Sequence, residues 1–156
     1  MKIKLKTAII IVIIIVLIFL GYVQSSKKLG DGDKAIDFKK NKLYIAFTEE
    51  FPDREVILCE GGDFTNDGIE DLIVIYKEKK HTEMLVVVGD ENKVMYTNSV
   101  KAPVENQAIE LRNIDEKDEV EFVVSGSKAG NVGYGIFRVE NMILKDLFGE
   151  GMDACC

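Results

Sequence analysis

Residues 7–26 carry no charged side chain, and residues 8–20 are aliphatic apart from Phe19. A helix of about 20 residues spans the hydrocarbon layer of a bilayer, and a soluble helix would need a polar face that this run lacks. The pattern predicts a transmembrane helix within residues 1–26. Lys2, Lys4 and Lys6 precede it, and basic residues tend to stay on the cytoplasmic side. The expectation is a single-pass cell-membrane anchor with the following domain extracytoplasmic. Cleavage as a signal peptide is the alternative, but the context Val23-Gln24-Ser25 lacks an A-x-A site. Both readings export the domain, and the uncleaved anchor is favoured.

Residues 27–33 are polar and glycine-bearing and read as a linker. Ile36, Leu43, Tyr44, Phe47 and Phe51 then recur at helical spacing, broken by Lys40. Asp33 is a candidate cap for that amphipathic helix, and Pro52 stands just past its end. From residue 55 the period changes. Short runs rich in Val, Ile and aromatics cover 55–59, 72–76, 84–88, 94–97, 108–111, 121–125, 134–139 and 142–145. Gly61-Gly62, Gly89-Asp90, Gly126 and Gly130 separate them as turn residues, which predicts eight strands, mostly joined as hairpins.

Residues 63–74 align with residues 113–124, an offset of 50, and a strand precedes each segment. The chain therefore reads as two blade-like, four-stranded antiparallel units, 55–99 and 107–146. Two blades cannot close a propeller. Two packed sheets with the helix covering one of them would bury both apolar faces. The predicted class is mainly β (α+β), with an extracytoplasmic domain over 34–147 and a flexible tail over 148–156.

Charge narrows the partners. Residues 27–156 hold 17 basic against 27 acidic side chains, a net of −10. Such a domain is a poor ligand for nucleic acid or anionic lipid. The single His81 lies in a predicted hairpin turn and excludes a His-rich metal site. The glycines at 130, 133 and 135 lie between strands, where no helix N-terminus cradles phosphate. Glu49-Glu50 and the acidic run at 116–121 read as solvated faces. No Ser/His/Asp set or paired acid/base carboxylates stand out, so no enzyme activity is expected.

The loop Asp63-x-Thr65-x-Asp67-Gly68-Ile69-x-Asp71 puts oxygen ligands at positions 1, 3, 5 and 9, with the Ile69 carbonyl at position 7. Calcium takes six to eight oxygens, and glycine at position 6 permits the sharp turn. The loop resembles the calcium loop of FG-GAP/VCBS-type propeller repeats, with Thr65 where Asp or Asn is usual. The resemblance implies calcium as a cofactor. In the second copy Lys117 stands at position 5, where its ammonium replaces a cation, facing Asp115 and Glu121. The competing reading is that both loops are acidic turns whose Asp and Asn side chains bond their own backbone.

Cys155 and Cys156 are the last two residues, behind a tail with two glycines and no periodic pattern. Exposed thiols outside a cell are open to oxidation, so packing alone does not explain them. Thiolates prefer soft metals such as Cu(I) and zinc, and by the same logic Hg(II) and organomercurials. Neighbouring carboxylates raise the thiol pKa values, which favours metal capture with proton release over fast thiol catalysis. An N-terminal anchor, an acidic-loop β domain and a Cys-Cys end together are similar to the SaoC-like Cys-Cys-COOH (seleno)proteins of the selenocysteine-assisted organometallic ABC transport systems of anaerobic bacteria. That resemblance implies Cys155 and Cys156 as ligands for an organomercurial cargo, and an ABC transporter of the same membrane as partner.

Cys59 sits in an apolar run and by alternation shares a face with Ile57. It reads as a core thiol, or as a third thiolate that receives metal from the tail. The expected function is capture of a thiophilic metal or organometal and delivery to the transporter. The alternatives are a thiol–disulfide redox partner that cycles Cys155-Cys156, and a structural, calcium-stabilised interaction module.

Overall fold

A computed structural model of the chain describes residues 38–91, 93–114 and 120–156. The expected anchor, the linker, Asp33 and Ile36 lie outside the described residues, as do Asp115 and Lys117. Among the described residues no helix is long and apolar enough to cross a membrane.

A 3-10 turn, Phe38–Lys40, leads into helix α1, Lys42–Glu50. The helix begins later than its apolar stripe suggests, because Asn41 is its cap. Asn41 Oδ1 accepts from Leu43 N–H at 2.8 Å and Tyr44 N–H at 3.4 Å, satisfying donors that the first turn leaves open.

Nine strands follow among the described residues: β1 Glu55–Gly62, β2 Asp71–Glu78, β3 His81–Gly89, β4 Val94–Tyr96, β5 Val100–Lys101, β6 Glu105–Arg112, β7 Glu121–Lys128, β8 Asn131–Glu140 and β9 Ile143–Glu150. A single turn, α2 Met152–Cys155, closes the chain. All pairings are antiparallel. The first sheet runs β1-β2-β3-β4, with β5 also on β3, and the second runs β6-β7-β8-β9. All eight expected strands are present, and β5 is the addition.

The turn assignments shift. Gly61-Gly62 belongs to β1 and Gly126 to β7. Gly130 does form a turn, with Ala129, and the other tight connections are Lys79-Lys80 and Asn141-Met142; Lys79, Ala129, Gly130, Asn141 and Met142 all take positive φ. Positive φ in two-residue hairpins matches the twist of the flanking strands. His81 is exposed at the start of β3, just after the turn.

Period-two alternation explains the layers. Ile73, Ile75, Met84, Val86 and Val88 of the first sheet share a core with Phe122, Val124, Phe137, Val139 and Leu144 of the second. The alternate residues Leu72, Val74, Tyr76, Leu85 and Val87 pack under Leu43 and Phe47 of α1. Strands β2 and β3 are therefore buried on both faces and read as continuous apolar runs. The Tyr96 hydroxyl donates to the Ala46 carbonyl at 3.2 Å and ties α1 to the first sheet. Phe47, fully buried 5.4 Å from the Tyr76 ring, is a main anchor of that layer, and its truncation to Ala would cost about 3–5 kcal/mol.

A register shift between Val56 and Leu58 breaks the alternation in β1. Ile57 is left 41% exposed, whereas Cys59, paired with Val74, is 5% exposed beneath α1. The expectation that the two share a face fails at this bulge, because the extra residue drops out of the ladder.

Candidate functional site

The segment read as a flexible tail is ordered into strand and helix. Strand β9 continues to Glu150, paired with Tyr134 of β8. Gly151 then adopts φ +68 and reverses the chain. A Cβ there would stand 2.6 Å from the Val132 carbonyl oxygen, so the site needs glycine for both conformation and space. The turn α2 closes with Cys155 N–H donating to Gly151 O at 3.2 Å and Cys156 N–H to Met152 O at 3.2 Å.

A slot in the second sheet receives α2. Along β8, Gly133 and Gly135 are buried between exposed Val132 and Tyr134, so one face of the strand carries no side chain there. A Cβ at 133 would meet Gly151 at 2.6 Å and Cys155 Sγ at 2.8 Å. Met152 lies over the next glycines: a Cβ at 135 would be 3.6 Å from its Cε, and one at 149 would be 3.3 Å from its Cγ. Val104 N–H donates to Cys155 O at 3.0 Å, and Lys128 Nζ donates to the Cys156 main-chain oxygen at 2.9 Å.

Within this slot the sulfurs meet. Cys155 Sγ is 3.7 Å from Cys156 Sγ and 3.8 Å from Met152 Sδ. All three cysteines are free thiols. Cys155 is fully buried, whereas Cys156 is half-buried. The Cys156 thiol is pushed up to about 12, first by burial and then by the hydrogen bond and charge of Cys155. The ammoniums of Lys101 and Lys128 act against that rise. Burial and the neighbouring thiol, rather than nearby carboxylates, are therefore the leading causes of the raised pKa. A thiol so protonated is a slow nucleophile, and a metal that binds it must displace the proton.

Cys59 is not brought to this pair. It lies under α1 in the other core cluster, and burial followed by the charge of Glu60 pushes its thiol up to about 12. Among the described residues no group of three or more His, Cys, Asp or Glu side chains is arranged to hold a metal ion. A shallow cleft of about 340 Å³, lined by Asn41, Leu43, Ile69, Glu70 and Asp90 among others, includes none of the sulfur residues.

The acidic loop is closed by its own hydrogen bonds. Asp71, fully buried, accepts through Oδ2 from Phe64 N–H at 2.9 Å and from the N–H and hydroxyl of Thr65, each at 3.1 Å. Its Oδ1 accepts from Gly89 N–H at 3.0 Å. Asp63 accepts from Asp67 N–H at 3.1 Å and Gly68 N–H at 2.9 Å, and Asp67 accepts from Ile69 N–H at 2.8 Å. These carboxylates satisfy loop N–H groups and do not converge on one point, so the donor set does not fit a calcium cage. The arrangement is that of an acidic turn.

The second repeat reproduces one of these bonds. Ile114 N–H donates to Glu121 Oε2 at 2.8 Å, as Phe64 N–H does to Asp71, seven residues apart in both cases. Glu121 is 1% exposed rather than solvated, and Arg138 Nη1 meets its other oxygen at 2.8 Å. Arg138 also reaches Glu140 at 2.6 Å, and Lys145 pairs with Glu140 from the far side.

Sequence reasoning missed Met152, Lys128 and Gly133. The available signal was the glycine spacing at 133 and 135, which strips one face of a strand and marks close approach by another segment. Nothing matches the chain among protein-family models, curated proteins or solved structures.

Proposed function

We propose that this protein is a carrier, not an enzyme, that captures a thiophilic metal or organometal on Cys155 and Cys156 and passes it to an ABC transporter of its own membrane. The observation that supports this reading is the pair of free thiols 3.7 Å apart, one buried and one half-buried, seated in a glycine slot. Soft sulfur donors select soft cations. For an organomercurial R–Hg–X, the Cys156 sulfur forms an S–Hg bond, X⁻ leaves and the thiol proton passes to water. Cys155 then adds as the second ligand, losing its own proton. Handover reverses these steps, with thiolates of the transporter replacing first Cys156 and then Cys155. The apolar run and basic residues at the start of the sequence support a membrane anchor that keeps the domain beside its partner.

The thiol–disulfide alternative is less well supported. It needs an accessible, low-pKa thiolate, whereas Cys155 is buried and the Cys156 thiol is pushed up to about 12.

Native mass spectrometry of the reduced full-length chain in detergent tests the proposal. Methylmercury, Hg(II), Cu(I) and Zn(II) would be offered to the native protein and to the Cys155→Ala/Cys156→Ala variant. Tight adducts that disappear in the variant are expected. Adducts unchanged in the variant, or none tighter than a small dithiol, would reject it.

A further inference from the structure

We propose that Met152 supplies a third sulfur ligand to the Cys155–Cys156 pair, making a thiolate–thiolate–thioether site for a monovalent soft cation of the Cu(I) class. The inference rests on the two-thiol reading above and adds a ligand and a cargo class to it.

The spacing carries the argument. Metal–sulfur bonds of about 2.3 Å place two sulfurs about 4.6 Å apart when the ion is linear between them. They place them about 4.0 Å apart in a trigonal plane and about 3.8 Å apart in a tetrahedron. Cys155 Sγ stands 3.7 Å from Cys156 Sγ and 3.8 Å from Met152 Sδ. Both separations from Cys155 Sγ are short for linear two-coordination and close to those of a trigonal or tetrahedral site. The same backbone turn sets all three sulfurs, because the Cys155 and Cys156 N–H groups bond back to Gly151 and Met152. Bare glycine faces at 135 and 149 support the Met152 side chain.

The donor set then chooses the ion. Thioether and thiolate sulfur together favour Cu(I). Structural Zn(II) requires four N, S or O ligands, commonly with more thiolate or imidazole. No further His, Cys, Asp or Glu joins the pair among the described residues. Two thiolates and one monovalent ion leave one net negative charge, and Lys128, bonded to the Cys156 main-chain oxygen, stands close enough to offset it.

The test uses the reduced full-length chain. Selenomethionine-labelled protein is loaded with Cu(I), and copper X-ray absorption is expected to show a bonded Cu–Se path beside two Cu–S paths. Cu(I) affinity is measured by competition with a chromogenic chelator. Met152→Leu keeps the apolar volume; it is expected to abolish the Cu–Se path and weaken Cu(I) by about 10- to 100-fold. A Cu(I) site with two sulfurs and no selenium neighbour overturns the inference. The same holds if Met152→Leu binds Cu(I) as tightly as the native chain, or if methylmercury binds but Cu(I) does not. In each of those cases the two-thiol reading survives. Failure of both metals to bind better than to Cys155→Ala/Cys156→Ala overturns that reading as well. Should Met152→Leu fail to fold, the selenium measurement on the native chain decides.

Discussion

Gly133 and Cys155 compete for one volume: a Cβ on residue 133 would stand 2.8 Å from Cys155 Sγ. The buried thiol exists because the strand opposite it has no side chain. Gly133→Ala should therefore displace α2, since the same Cβ also meets Gly151 backbone at 2.6 Å and cannot be relieved by a rotamer change. The expected cost is about 1–3 kcal/mol in urea unfolding. Alkylation of Cys155, read by peptide mapping, should speed up at least ~10-fold as local opening becomes easier. Unchanged protection of Cys155 would show that the slot does not hold it.

Glu121 is the buried partner of two groups, the Ile114 N–H and Arg138. Glu121→Ala would remove the buried carboxylate that Arg138 Nη1 and the Ile114 N–H both meet at 2.8 Å. We expect a loss of about 3 kcal/mol from denaturant unfolding, at the lower end for broken buried pairs. A loss below about 0.5 kcal/mol would class the pair with exposed ones.

Asp71 accepts four donors and offers none in return. Asparagine would turn an NH2 group toward those N–H donors. Asp71→Asn should cost about 1–3 kcal/mol for the unsatisfied groups. Because loop donors already saturate this carboxylate, neither calcium nor a calcium chelator should move the thermal midpoint of the native chain. A calcium-dependent rise in the midpoint would restore the cage reading of the loop.

Cys59 sets an alkaline limb. Its folded pKa is raised from the ordinary 9.0 to about 12 by burial, then by Glu60. Between those values the folded state holds a proton that the unfolded state has lost. Its stabilising contribution is thus fully present below pH 9.0 and fades as pH rises toward about 12. Cys59→Val should flatten the loss of stability in that window by at most about 1.4 kcal/mol per pH unit. Parallel curves for the two proteins would remove Cys59 from the account.

The strands were legible because apolar period and turn chemistry are local. Residues 72–76 and 84–88 read as strands from their own side chains, and β2 and β3 contain them. The repeat was legible for the same reason, and its shared signature is one hydrogen bond from Phe64 to Asp71 and from Ile114 to Glu121. Cys59 was rightly read as a core thiol, but the face it was said to share with Ile57 was wrong, because a bulge between Val56 and Leu58 leaves no mark in a two-residue alternation. The pairing of Glu121 with Arg138 joins residues 17 apart across a sheet, which no local pattern expresses.

By itself, the amino-acid order determined a mainly β chain, two similar antiparallel units, one amphipathic helix and a pair of adjacent thiols. These follow from short-range periodicity and from residue chemistry, which need no knowledge of neighbours in space. Only the tertiary structure decided that the last residues are docked. Residues 148–156 have no apolar period, and their order comes from pairing β9 to β8 and from the bare glycine face that β8 presents. That packing, between segments about twenty residues apart, turned a predicted free dithiol into a buried thiol with a half-buried thiol at 3.7 Å and a thioether at 3.8 Å.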